Sequence, residues 1–332
     1  MITPGSGENL PGLLHKEIRK LLFFSWALSL ISIAAVWACF YVERMTSEQS
    51  HGRGIQREVT RLAHAFQEHS ARTFAQADQI AHLMRSYRKD GTPPDLGLVA
   101  TKLALDPKVF NLLAMMDANG DIVASSQSFA PANYRDREHV KVHINSKVDR
   151  AFISKPLLGR ISGKWAVQLT RPMHDSRGEF VGVAVVSVDP EYFTDFYSKS
   201  KMGPRCTIAL FGEDGVIRAG IVGKQKRGMG ANIAGTDLFE GAVGFGSAGG
   251  FLLARDIDDG RVRAHGIRKL EHLPLYVAVG FDWEDNQAGY RAERNRMIAF
   301  AIGFSVFILV TMLSLTIWIY RRPKVRERER PT

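Results

Sequence analysis

The side chains best suited to chemistry are scattered along this 332-residue chain, and their spacing narrows what they can do. Of ten histidines, the nearest pairs are His64/His69 and His139/His143. A separation of four places His139 and His143 on one helix face, where they could grip a metal ion. No third ligand accompanies them at typical spacing, so the four-ligand logic of a metal centre is unmet and no metal site is expected. The motifs G-x-S-x-G and H-E-x-x-H and the Walker loop do not occur in the sequence. The glycine-rich stretches GMGANIAG (228–235) and GFGSAGG (244–250) lie between strand-like runs without a clear helix N-terminus behind them, and read as loops. No catalytic residue and no cofactor is expected, so the chain reads as a non-enzyme. Trp165 and Arg171 sit six apart in one strand pattern, which puts both side chains on one face. An aromatic ring and a guanidinium facing one cavity, with Arg160 nearby, would suit an anionic or aromatic ligand. The alternative is that Trp165 packs in the core and Arg171 is a solvated strand end.

The elements that must position these residues begin with two apolar runs. Residues 21–42 carry no charge and would span roughly 33 Å as a helix, enough to cross a ~30 Å hydrocarbon core. Residues 297–320 are again uncharged and long enough. Trp37, Tyr41, Trp318 and Tyr320 lie near segment ends, where amphipathic rings favour the interface. Lys16, Arg19 and Lys20 precede the first run; Arg321, Arg322, Lys324, Arg326, Arg328 and Arg330 follow the second. The positive-inside rule then places both termini (1–20 and 321–332) in the cytoplasm and residues 43–296 in the periplasm of a two-pass inner-membrane protein. The basic residues Arg291, Arg294 and Arg296 on the other flank oppose this, but long loops translocate largely regardless of charge. The net charge of +10 is concentrated partly in the tail, which suits contact with anionic lipid. No nucleic-acid motif is present. Cys39 lies inside an apolar run and Cys206 far away, so no disulfide framework is implied.

Between the spans, residues 54–87 read as a long helix. Val59, Phe66, Thr73, Ile80 and Tyr87 recur every seven positions, and Gly91-Thr92-Pro93-Pro94 ends the pattern. His69 and Gln76 interrupt the seam, so the stripe is expected to pack on the domain, with part left for a homodimer. Beyond Pro107 short apolar runs flank turn signals at Asp117–Gly120, Asp175–Gly178 and Glu213–Gly215. Gly120 and Gly215 lie 95 apart, and Asp189 and Asp282, each closing a Val-Ala-Val run, lie 93 apart. The two offsets suggest two copies of one antiparallel α+β module, though glycine-bearing hairpins are common enough to coincide.

These residues resemble a double Cache (tandem PAS-like) sensor domain, as found in bacterial diguanylate cyclases and histidine kinases. YRDREHVKVH (134–143) is similar to the family's D-R-E-aromatic-F segment, and residues 152–193 to the stretch that follows it. The resemblance covers roughly 43–295. It implies a long N-terminal helix, a membrane-distal module near 95–195, a membrane-proximal module near 205–283, and a small-molecule ligand in the distal one. In amino-acid-binding relatives an R-x-W-Y motif gives an Arg to the ligand carboxylate, and a later Asp holds the amine. Arg137 matches that Arg, His139 and Val140 occupy the aromatic positions, and Asp189 matches the Asp. Planar bidentate pairing suits Arg137 to a carboxylate; a structural salt bridge to Asp136, Glu138 or Asp189 is the alternative. The implied function is extracytoplasmic sensing. With twelve residues after Tyr320, the output is expected through a separate cytoplasmic partner. Alternatives are a non-signalling scaffold of an envelope complex or a truncated sensor.

Overall fold

The computed structural model describes residues 10–86, 92–144, 146, 148–198, 205–223, 225–226, 228–256 and 259–328. Tyr87 and Gly91 of the expected helix end, and Arg330 of the tail, lie outside the described residues. Two compact units emerge: 1–53 with 285–332, and 54–284.

The first unit consists of parts of two helices, α1 (Leu10–Ser86) and α6 (Trp283–Arg328). Their stretches Lys16–Thr46 and Trp283–Arg321 have mean hydropathies of 2.1 and 2.5 and are long enough to cross a bilayer. Trp26 Nε1 donates to Thr316 Oγ1 at 3.2 Å, and Trp37 Nε1 to Ser305 Oγ at 3.3 Å. Eleven residues forward on one helix meet eleven residues back on the other, so the pair is antiparallel. Lys16, Arg19, Lys20 and Arg321 thus share one end. Phe23 is 71% exposed and Phe300 75%. Aromatic surface left bare to this extent calls for a lipid solvent.

The second unit holds the rest of α1 and two antiparallel sheets, an α+β fold. The helix read from residue 54 rises directly from the first apolar run, and the two form one element: α1 runs unbroken for 77 residues. Gly52 and Gly54 each cost about 1 kcal/mol of helix propensity, too little to break a helix with anchored ends. The first module follows as α2 (Leu96–Lys102), β1 (Phe110–Asp117), β2 (Ile122–Ser125), α3 (Glu138–Ile144), β3 (Phe152–Ile153), β4 (Leu157–Leu158), β5 (Trp165–His174) and β6 (Phe180–Val188). After α4 (Pro190–Ser198) come β7 (Thr207–Gly212), β8 (Ile217–Val222), β9 (Gln225–Lys226), α5 (Asp237–Phe245), β10 (Gly250–Arg255), β11 (Val262–Lys269) and β12 (Leu275–Asp282). The strand orders are β2-β1-β6-β5-β3, with β4 also on β5, and β10-β11-β12-β7-β8-β9. Reading the second order as β8-β7-β12-β11-β10 reproduces the first, so the internal repeat is real at the level of topology. The GFGSAGG stretch departs from the loop expected: it ends α5, makes a 3-10 turn over Gly246–Ala248 and starts β10.

Strand alternation divides each sheet into an inner and an outer face. Leu113, Met115, Ala184, Val186, Val188, Ile208, Leu210, Val277 and Val279 join Phe66, Phe74, Ala77 and Met84 of α1 in one core. On the outer faces, Leu112, Ala114, Met116, Val183 and Val185 pack with Tyr134 and Val140, whereas Phe211, Tyr276 and Ala278 pack with Ile233 and Ala242. Helix α1 is therefore the common wall of both modules. Gly266 on β11 permits the closest approach, because a Cβ there would strike the Val59 carbonyl. From Gly54 to Ser86, α1 exposes no large apolar side chain, so the face open to a second copy is polar.

Candidate ligand site

In the first module the chain leaves the β1–β2 hairpin and returns to it at Tyr134, whose N–H donates to the Gly120 carbonyl at 2.8 Å. Gly120 adopts φ +87°, and a Cβ there would collide with Arg135. The Tyr134 ring enters the outer-face core, yet its buried hydroxyl has no hydrogen-bond partner among the described residues. Three residues later α3 begins. The Arg137 carbonyl accepts from Lys141 N–H at 2.9 Å, which makes Arg137 the N-cap. Arginine has no side-chain acceptor and cannot cap, a loss of about 1 kcal/mol against Ser, Thr, Asp or Asn. Among the described residues its Nε is buried without a partner, and so is Nδ1 of His139, a residue 2% exposed. Six residues of chain thus hold three unpaired buried polar atoms, each costing ~1–3 kcal/mol.

The second module builds the same element from other residues. Ile233 N–H donates to the Gly215 carbonyl at 2.8 Å. Thr236 N–H donates to the Ile233 carbonyl at 3.1 Å, as Arg137 N–H does to Tyr134 at 2.9 Å. The bridges Asp121–Asn133 and Val216–Asn232 correspond as well. This register equates Tyr134 with Ile233, Arg137 with Thr236 and His139 with Leu238. Thr236 Oγ1 accepts from Phe239 N–H at 3.3 Å and caps α5 properly. The fold requires no phenol, guanidinium or imidazole at these positions. Their presence in one copy demands another reason.

The local charge defines what they could hold. Arg160 reaches across with its guanidinium 5.3 Å from the Tyr134 ring centre and pairs with Asp136 through bonds of 3.1 and 2.8 Å. That takes up one of the carboxylates to which Arg137 could have paired, and Arg137 makes no side-chain ion pair among the described residues. Burial, with the Arg137 charge added, pushes the His139 imidazole down to about 4, so it is neutral near pH 7 and offers one donor and one acceptor. Burial raises the Tyr134 hydroxyl, which stays protonated. A charged guanidinium, a phenol and a neutral imidazole together complement the oxygens of a small anion.

The other residues singled out in the sequence are placed elsewhere. His143 is engaged, its Nε2 lying 2.9 Å from Thr170 Oγ1. Trp165 is 49% exposed at the start of β5. Arg171 has the same strand parity, and that parity faces α1: its guanidinium meets Asp78 at 2.5 and 2.9 Å and Asp149 at 3.0 Å. Asp189 follows β6, where Val188 pairs with Phe110, while the Tyr134 hairpin lies beyond Asp117, about 20 Å along β1. Asp189 Oδ1 accepts from Glu191 N–H at the start of α4. Arg137 and His139 stand two residues apart at the start of α3, whereas Arg171 faces α1 and Asp189 lies at the far end of β1. The structure adds Tyr134, whose signal was available: aligning the modules on Asn133 and Asn232 sets NYRDREH against NIAGTDL.

No family model and no curated protein matches this sequence. Solved structures do. The extracellular domain of rpHK1S-Z16, described as a candidate histidine kinase, is similar at 26% identity and a TM-score of 0.62, over 70% of this chain and 96% of that one. The ligand-binding domain of the Pseudomonas fluorescens chemoreceptor CtaA in complex with L-isoleucine matches at 16% identity, a TM-score of 0.53, and 73% and 98% coverage. The ligand-binding domain of Mlp24 with asparagine matches at 12% identity, a TM-score of 0.51, and 72% and 97% coverage.

Proposed function

From the double Cache fold that residues between the spans share with extracellular ligand-binding domains of histidine kinases and chemoreceptors, we propose that this protein is a membrane-anchored sensor of a small carboxylate-bearing molecule. Tyr134, Arg137 and His139 hold the carboxylate. The observation that carries this reading is the trio of unpaired buried polar atoms, together with its replacement by Ile233, Thr236 and Leu238 in the second copy. Unpaired groups of this kind are tolerated where a ligand completes them. CtaA and Mlp24 domains with bound amino acids support the same class of ligand.

The basic residues Lys16, Arg19, Lys20 and Arg321 at one end of the helix pair support a cytoplasmic location for that end and a periplasmic sensor in a bacterial inner membrane. Output then passes along α1 and α6 to a cytoplasmic signalling partner, with the basic tail against anionic lipid. The decisive experiment transplants the second module's residues into the first. Full-length protein in nanodiscs, wild type and the Tyr134→Ile/Arg137→Thr/His139→Leu variant, is titrated calorimetrically with the standard amino acids and C2–C6 organic acids. Wild type is expected to bind at least one of them and to slow amide exchange over 134–140, and the variant to fold equally well without that protection. Protection of 134–140 that persists in the variant, or its absence from the wild type with every compound, overturns the reading.

A further inference from the structure

A second site lies between the two modules, inside the compact unit 54–284 and apart from the Tyr134 trio. It is a cleft of about 560 Å³, within the ~300–1,000 Å³ usual for small-molecule pockets. The first module contributes α3 and the chain running into β3; the second contributes the β7–β8 hairpin and Pro274.

Three cations and three carboxylates line its walls, and they are unevenly paired. On the second module, both carboxylates are already committed: Glu213 to Lys269 at 2.7 Å, and Asp214 to Arg218 at 2.5 and 3.0 Å. Arg218 is 5% exposed, and its Nε is buried without a partner. On the first module, Arg150 is exposed and has no ion pair among the described residues. Lys155 Nζ makes a loose ion pair with Asp214 at 4.0 Å, beyond hydrogen-bond reach. Glu138 is the one lining carboxylate with no cation on it among the described residues. Arg150 therefore lines the cleft without an ion pair among the described residues and Lys155 with only a loose one, beside apolar surface from Phe152, Ile153 and Pro274.

We infer that this cleft binds a small organic carboxylate bearing an apolar chain, with the carboxylate on Arg150 and Lys155 and the chain against Phe152, Ile153 and Pro274. Such an occupant touches both modules at once and ties one to the other. The inference stands on its own cavity and does not depend on the Tyr134 site.

The probe is hexanoate, with hexylamine as the charge-reversed control, titrated into the full chain in nanodiscs. Hexanoate is expected to bind and to slow amide exchange in peptides covering 150–155 and 213–218. Arg150→Gln, at an exposed position that does not threaten the fold, should weaken it about tenfold or more, the worth of one charge-assisted hydrogen bond. The titration is repeated in the Tyr134→Ile/Arg137→Thr/His139→Leu background, which removes any hexanoate held at the site proposed above; the protection of 150–155 and 213–218 should persist there and be lost on adding Arg150→Gln. Hexylamine binding better than hexanoate overturns the assignment. So does hexanoate binding that survives Arg150→Gln in that background, protection confined to 134–140, or no binding at all.

Discussion

If the Tyr134 hydroxyl is buried for a ligand and not for the fold, removing it should strengthen the empty protein. Tyr134→Phe keeps the ring among Val140, Val183 and Val185 and keeps the Arg160 guanidinium over its face. What disappears is one buried oxygen with no partner. Such a group costs ~1–3 kcal/mol, so the substitution is expected to stabilise the ligand-free unit by about 1–2 kcal/mol. The unit runs from residue 54 to 284, a span of 231 residues, for which 1 kcal/mol moves Tm by ~2–4 °C. Calorimetric unfolding of the full chain should therefore show a rise of about 2–8 °C. With saturating ligand the order should reverse, because the wild type gains more from tighter binding. A fall in the Tm of the empty variant would refute the reasoning, since the hydroxyl would then have a partner in the native protein.

Acid sensitivity offers a second check. Burial holds His139, His143 and His265 at about 4, against ~6.5 in the unfolded chain. The unfolded state binds more protons between those values, so stability is full above about 6.5 and falls as pH drops towards about 4. His143→Gln keeps a partner for Thr170 and removes one titrating ring, so the loss of Tm between about pH 7 and 5 should become shallower; an unchanged slope would count against it. Arg171→Met and Asp78→Asn probe the grip of β5 on α1. Their side chains are 13% and 29% exposed, and a double-mutant cycle should give a coupling of about 1–2 kcal/mol, reduced from the fully buried case by the exposure of Asp78. Additivity within ~0.3 kcal/mol would show no such grip. Gly266→Ala should cost about 1–3 kcal/mol, since its methyl meets the Val59 backbone; an unshifted urea midpoint would show that the two elements are not packed this closely.

Topology was legible wherever a single period or turn dictated the outcome. Uncharged runs at 21–42 and 297–320 mark the apolar helices, and the glycines at 120 and 215 mark equivalent hairpins. Short elements were not legible: β3, β4 and β9 have two residues each, and their pairing is fixed by neighbours remote in sequence. The GFGSAGG stretch hid a helix end because tertiary packing on β10 overrides weak glycine propensity. At the proposed site, Arg137 and His139 are reached through their place in a motif, whereas Tyr134 lies outside that motif. Arg171 shows the converse limit. Strand parity correctly joined it to Trp165, but parity alone does not say which face of a sheet meets a helix and which a ligand.

That ambiguity bears on how the proposed sensor would work. Each sheet turns its inner face to α1 and its outer face to its own short helix, so a ligand held by α3 has the whole sheet between it and α1. Strand geometry supplies the shortest way through. Neighbouring residues point to opposite faces: Thr170 bonds His143 of α3 on the outside, and Arg171, one peptide along, grips Asp78 of α1 on the inside. A shift of α3 on ligand binding can move β5 only by moving both, and α1 continues without a break into the apolar span. In the second module the register that sets Asn133 against Asn232 puts Ala242 in the place of His143, and β11 meets α1 through the small residues Ala264 and Gly266. On the proposed reading, one copy of the module holds the helix through a charged side-chain pair, while the other packs against it through small residues.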